Sequence, residues 1–284
     1  MPFLEQVIQG SGIPRERLEK VARHYEVIGG FSLINKITRN QAEALENELA
    51  AQGSPMKVYL GQRNWHPFLE EALQQIVKDG VKRLVGFPAA AHRCEASWER
   101  YIHAVERARQ RTGEETPMVD YVSPWFDHPL FIEAITERIH EAGTPRTAPW
   151  IFTAHSVPTP MAASSRYVQE LERTAELVAE RLGQAQWRLA YSSRSGWPQD
   201  PWLGPNVTDA ILDEVRRGVR EVLLIPIGFI ADHVEVLYDL DVEAKETAAK
   251  AGIRLWRAET VGDHPLFVRM MADVIQKTAA TRCA

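Results

Sequence analysis

Short apolar runs rich in β-branched and aromatic residues recur along this chain, and a segment with helical periodicity separates each from the next. That alternation implies βαβ units, and therefore parallel sheets with helices on their faces. The spacing predicts strands over Lys57–Gly61, Arg83–Phe87, Met118–Val122, Trp150–Ala154, Arg188–Ser192, Glu221–Ile227 and Arg254–Arg257. Helical patterns fall on Arg15–Val27, Thr38–Gln52, Pro67–Lys78, Glu95–Arg111, Pro129–Glu141, Arg166–Arg181, Val207–Arg217, Val234–Lys250 and Pro265–Lys277. At 284 residues the chain exceeds the roughly 150 expected of one domain. GTPRTAP at 143–149, with a glycine and two prolines between a helix and a fresh strand, marks the boundary. The expectation is two α/β halves, 1–145 and 146–284. In open sheets of this kind ligand-binding groups collect beyond the carboxyl ends of the strands. A cleft between two such halves suits a flat ligand.

Composition removes several classes of function. A net charge of -5 gives no basic surface on which to neutralise phosphates, so a nucleic-acid partner is not expected. Cys94 and Cys283 are the only cysteines, too few and too distant for a disulfide framework or a cysteine-ligated zinc or iron–sulfur site. No apolar run approaches the ~20 residues of a membrane span. MPFLEQVIQG lacks the basic-then-apolar order of a secretory signal. A cytoplasmic protein is expected.

Two constellations could carry chemistry. In Ile151-Phe152-Thr153-Ala154-His155-Ser156-Val157-Pro158 a buried strand ends on an imidazole, then a small hydroxyl and a chain-breaking proline. His155 then stands at the carboxyl edge of a sheet, where a neutral imidazole can accept a proton or ligate a metal. A lone histidine there can equally be one that merely closes a strand. The second constellation is the buried run Leu223–Ile227 and the segment Ala231-Asp232-His233-Val234-Glu235 that opens a helix. Glu235, Asp239 and Glu243 recur at every fourth residue of that helix and share a stripe, although like charges so spaced cost ~0.2–0.5 kcal/mol per pair. Such a stripe is either a solvated face or a ladder of hard oxygen ligands along which a divalent cation passes inward. On the second reading Glu235 is the innermost rung and faces His155.

The segments TAHSVP (153–158), DPWLGP (200–205) and PIGFIADHVEVLYDLD (226–241) closely resemble ferrochelatases in order and spacing. The stretch 2–35 and GQRNWHPFLEEAL (61–73) look like the bacterial branch that makes coproheme. The resemblance covers almost the whole chain. It implies two Rossmann-like, chelatase-type domains with a porphyrin slot between them, and insertion of ferrous iron into coproporphyrin III. Protoporphyrin IX as substrate, and a non-catalytic tetrapyrrole- or metal-binding paralogue, are the alternatives. By position the family's catalytic pair falls on His155 and Glu235, and its metal-handling groups on His155, Glu235, Asp239 and Glu243. Porphyrin and ferrous iron are the implied partners; a monomer is one expectation, which the sequence itself does not decide. No cofactor beyond the iron is implied, and the chain lacks the thiols for the 2Fe–2S cluster of some relatives.

Around the slot the resemblance places His92 on a wall, although a plain loop position is also open. Arg194, beside Ser193 in the loop after a strand, is either a propionate partner or a surface ion pair. Trp202 and Trp65 read as packing anchors before pocket walls. Relatives open with a further strand and a glycine-containing loop ahead of the PFL segment. The expectation is therefore a longer native product, with Met1 an internal methionine.

Overall fold

A computed structural model of the chain describes residues 4, 6, 15–145, 147–194 and 200–281. The first half runs α1 (Arg15–Val27), α2 (Ile34–Ala51), α3 (Leu69–Lys78), β1 (Leu84–Gly86), α4 (Arg100–Thr112), β2 (Val119–Tyr121) and α5 (Pro129–Glu141). A π-helical turn over Glu95–Glu99 leads into α4. β1 and β2 pair in parallel, with Val85 opposite Asp120. The second half runs β3 (Trp150–His155), α6 (Thr159–Ala163), α7 (Tyr167–Leu182), β4 (Trp187–Ser192), α8 (Val207–Arg216), β5 (Glu221–Ile225), α9 (Val234–Tyr238), α10 (Lys245–Lys250), β6 (Arg254–Arg257) and α11 (Pro265–Thr281). Its strands form a parallel sheet in the order β4-β3-β5-β6.

Both central strands of that sheet are continuous apolar runs because helices cover both faces. Ile151, Phe152 and Ala154 in β3, and Val222, Leu223 and Leu224 in β5, are fully buried. β5 stops at Ile225 because Pro226 has no N–H to give the ladder. Caps set the helix starts: Asn206 accepts from the Thr208 N–H at 2.9 Å, and His128 accepts from the Leu130 N–H with Pro129 at the first helical position.

One expectation needs amending. Lys57–Gly61 forms no strand; a strand exists only where a neighbour takes its backbone groups, and the described ladder beside it contains β1 and β2 alone. The C-terminal helix α11, which a cut at 145/146 assigns to the second half, packs against α2 and α5 and touches β1 and β2 of the first. Its Phe267 closes an aromatic cluster with Trp125 (5.6 Å) and Phe131 (6.0 Å). The halves are further pinned by Gln41 of α2, whose buried amide donates to the carbonyls of Gly262 at 2.7 Å and Ile230 at 3.3 Å. Among the described residues no helix is long and apolar enough to cross a membrane.

Candidate active site

From β3 the chain steps to one side to form β4, then returns to the other side for β5. The crevice between the carboxyl ends of β3 and β5 is thus a topological switch point, the place where open α/β sheets bind ligands. His155 is the last residue of β3, and Glu235 lies in the first turn of the helix that follows β5.

The sequence locks the end of β3 from several directions. The Tyr167 hydroxyl donates to the His155 carbonyl at 2.9 Å, the Ser156 N–H donates to the Ser192 carbonyl at 2.7 Å, and the Ser156 hydroxyl donates to the Leu203 carbonyl at 2.9 Å. The 200–205 loop zips against the same stretch, with the Leu203 N–H donating to the Val157 carbonyl at 3.0 Å. Behind it Gly228 presses on β3: its N–H donates to the Thr153 carbonyl at 3.1 Å, and a Cβ there would lie 2.5 Å from that of Ala154. Tyr167→Phe should cost about 1 kcal/mol of stability and leave turnover within about threefold, since it removes one of several ties; thermal melts and initial rates check both.

The His155 ring is oriented by its Nδ1–H, which donates to the Ser156 carbonyl. Its Nε2 therefore carries the free lone pair and faces Glu235 Oε2 at 3.7 Å. At that separation the carboxylate stabilises an imidazolium once it forms and leaves the lone pair free to accept a proton. Glu235 is fixed at the backbone: its N–H donates to His233 Nδ1 at 3.2 Å, a side-chain helix cap. Burial lowers the His233 pKa and keeps that nitrogen an acceptor.

From Val234 to Lys250 the helix is continuous, but residues Asp239–Ala244 form a π-helical turn. In a regular α-helix residues eight apart drift by about 80° around the axis. The wider turn takes up part of that drift and holds Glu235, Asp239 and Glu243 nearer one line. Asp239 is tied to the sheet by Ser193, whose hydroxyl donates to its carboxylate. Ser193 adopts φ 62°, a left-handed conformation that costs a serine about 1–3 kcal/mol and that turns its side chain to this partner. Burial lifts the Asp239 pKa to about 6, aided by the charges of Glu235 and Glu243 and opposed by the Ser193 hydrogen bond. Glu243 stands exposed at the outer end.

Groups from the first half surround the same carboxylate. Burial and then the charge of Glu235 push Tyr25 of α1 up to about 12. Tyr101 of α4 is also raised, chiefly by burial, with Glu235 again contributing. His24 stacks on Tyr238 at 3.6 Å with the rings 6° from parallel. Glu235 thus looks out of the second half toward α1 and α4. Two shallow hollows, ≈ 270 Å³ between α7 and β4 and ≈ 510 Å³ beside α3, contain none of these catalytic candidates.

Of the residues singled out in the sequence, His155, Glu235, Asp239 and Ser193 come together. Among the described residues the carboxylates and histidines do not close into a cage of three or more metal ligands. His92 is buried in the protein. It is 3% exposed, its Nε2–H donates to Thr174 Oγ1 at 3.0 Å, and burial drops its pKa to about 3. Trp202 is half-buried and its backbone bridges Pro158, so it braces the loop after His155. Arg194 is exposed, its guanidinium beside Gly204. Cys283 lies outside the described residues. Tyr25 and Tyr101 carried no signal in the sequence beyond residue type, because their role depends on tertiary placement, and His233, although inside the segment that opens the helix, gave no sign that it caps Glu235.

The sequence profile of the ferrochelatase family matches residues 1–279. The chain belongs to the ferrochelatase family. It is 39% identical to a ferrochelatase of Rhodopirellula baltica over 284 residues, covering 98% of this chain and 81% of that one. It is 40% identical to a coproporphyrin III ferrochelatase of Mycolicibacterium smegmatis over 288 residues, covering 98% of this chain and 84% of the relative. Among solved structures, SirB from Bacillus subtilis with Fe3+ superposes with a TM-score of 0.63 at 15% identity, covering 85% of this chain and 90% of that chain. CbiX, the terminal enzyme of siroheme biosynthesis in denitrifying bacteria, superposes at 0.53 with 15% identity, covering 84% and 88%. These likenesses establish the two-domain, Rossmann-like fold of the chelatases, and family membership makes the chain an enzyme of the porphyrin metal chelatase class.

Proposed function

We propose that this ferrochelatase inserts Fe2+ into coproporphyrin III, in the cytoplasm, with His155 as the proton acceptor and Glu235 as its partner. The observation that carries the reading is the free Nε2 lone pair of His155 held 3.7 Å from Glu235 at the switch point of the sheet. Metallation needs two pyrrole N–H protons removed and a dehydrated divalent cation delivered. His155 accepts one pyrrole proton at Nε2, Glu235 stabilises the resulting charge, the proton passes to solvent, and the regenerated imidazole takes the second pyrrole proton in the same way. Asp239 and Glu243 offer hard oxygen atoms to the incoming iron, which passes along them toward Glu235 as a labile substrate. Iron is the only metal this scheme requires; it uses no further cofactor and no 2Fe–2S cluster. The preference for coproporphyrin III is supported by the names of the mycobacterial relatives, which are similar over nearly the whole chain. Initial rates of Fe2+ insertion into coproporphyrin III and protoporphyrin IX, compared side by side, test it. Faster turnover of protoporphyrin IX would overturn the substrate, and insertion into neither would overturn the enzyme.

The raised pKa of Asp239 gives a pH-dependent prediction. The folded state holds that proton more tightly (about 6) than the ordinary 3.8. Its charge therefore costs nothing below pH 3.8, progressively more between 3.8 and about 6, and a constant amount above that. Asp239→Asn should stabilise the fold by about 1–3 kcal/mol at pH 7.5, with the gain vanishing near pH 4, and should raise the KM for metal. Paired thermal melts at the two pH values and a metal titration of the rate check both halves.

A further inference from the structure

Arg257, the last residue of β6, sits next to β5 and contributes nothing to the catalytic pair. Its guanidinium nevertheless makes the densest set of charged contacts described around the acidic helix. Nε donates to Asp241 Oδ1 at 2.9 Å and Nη2 to Asp241 Oδ2 at 2.8 Å, a bidentate fork. Nη1 donates to Asp232 Oδ1 at 3.2 Å and to the Ala258 carbonyl at 3.2 Å. Asp232 also accepts from the Thr260 N–H at 3.4 Å, and Asp241 from Lys245 at 3.1 Å. The three side chains are 12%, 16% and 19% exposed, so the pairing is weakly screened.

The two carboxylates straddle the chemistry. Asp232 lies just ahead of the Glu235 helix, and Asp241 lies inside the π-helical turn. Asp241 stands two residues from Asp239, roughly half a turn round the helix, so the clamp grips the side away from the metal-facing stripe. A π turn is rarer and less favourable than continuing the α-helix, and a fork fixed to the sheet edge supplies what holds it.

We propose that Arg257 is a positioning residue: by clamping Asp232 and Asp241 to the end of β6 it sets the register of the helix, keeping Glu235, Asp239 and Glu243 in line toward the slot. The proposal rests on the ferrochelatase reading for its kinetic consequence and on geometry alone for the clamp. The test is Arg257→Met and Arg257→Lys, with Asp241→Asn as a second route should the methionine variant not fold. Two readouts are taken on the full chain: amide hydrogen exchange across residues 232–246, and steady-state insertion with Zn2+ and coproporphyrin III. The expected result for Arg257→Met is exchange at least tenfold faster, confined to 232–246, with the KM for metal up at least tenfold and the KM for porphyrin within twofold. Arg257→Lys, which keeps the charge and loses the fork, should fall between. Unchanged exchange overturns the clamp. Faster exchange with an unmoved metal KM, or with metal and porphyrin parameters shifting together, overturns the positioning role. Should the wild-type chain insert no metal into either porphyrin, the enzyme reading falls, and the exchange contrast alone decides the clamp.

Discussion

His155→Ala should reduce metal insertion by about 10²–10⁴-fold while leaving the fold and porphyrin binding in place. The side chain is partly exposed and meets the Ser156 carbonyl, the facing carboxylate and, at 6.4 Å between ring centres, Phe229, so its loss opens no cavity in the core. Turnover should collapse because nothing else described at the switch point offers a neutral nitrogen lone pair toward Glu235. His233 spends its Nδ1 on the helix cap, and His92 is buried against Thr174. Glu235→Gln should produce a smaller loss, because the imidazole can still accept the proton but the imidazolium loses its stabilising charge. The decisive measurement is single-turnover insertion with enzyme in excess over porphyrin, alongside fluorescence titration of porphyrin binding. A His155→Ala enzyme within a few-fold of wild type would remove the mechanism.

The second half was largely legible before any coordinates. β3 and β5 fall where apolar runs end at a histidine or a proline, since a strand buried on both faces leaves no alternation to misread, whereas β4 and β6, at the edges of the sheet, carry arginines among their apolar residues. Helices α1 and α5 match their periodicities at both ends, and the pairing of His155 with Glu235 follows from two strand ends sharing one sheet edge. What stayed hidden depends on tertiary partners. The Lys57–Gly61 run has strand composition, but no described neighbour takes its ladder. The Pro265–Thr281 helix gives no sign in its own sequence that its apolar face belongs to α2 and α5. The carboxylates at every fourth residue were visible, but the π-helical turn that aligns them was not. A spacing of four is compatible with either helix, and the Arg257 fork that holds the turn comes from a strand sixteen residues beyond Asp241. The burial of His92 against Thr174 was equally invisible, because it depends on a helix 82 residues further along the chain.

Gly228→Ala should be the most damaging small change available near the site, and it separates packing from chemistry. Gly228 follows β5, and its backbone lies so close to β3 that an added Cβ would meet the Ala154 Cβ at 2.5 Å and the Ala154 Cα at 2.6 Å. Neither atom is the mobile end of a side chain. Ala154 is fully buried in the central strand, so relief requires moving the β3 backbone or the loop itself. Overpacking of that kind costs on the order of 3 kcal/mol, a large part of the ~5–15 kcal/mol that keeps a domain folded. The displaced residue is the neighbour of His155, and the displaced loop leads into the helix of Glu235, so the 3.7 Å approach should widen. Turnover should then fall well beyond what the melting temperature accounts for, including at temperatures where the variant is fully folded. Trimming the other partner is the control: in Gly228→Ala with Ala154→Gly one methyl is removed as another is added, and both stability and rate should recover in part. If the single variant proves as stable and active as the parent, then β3 and the loop are not held by this contact, and the site must owe its geometry to the hydrogen bonds around Ser156 alone.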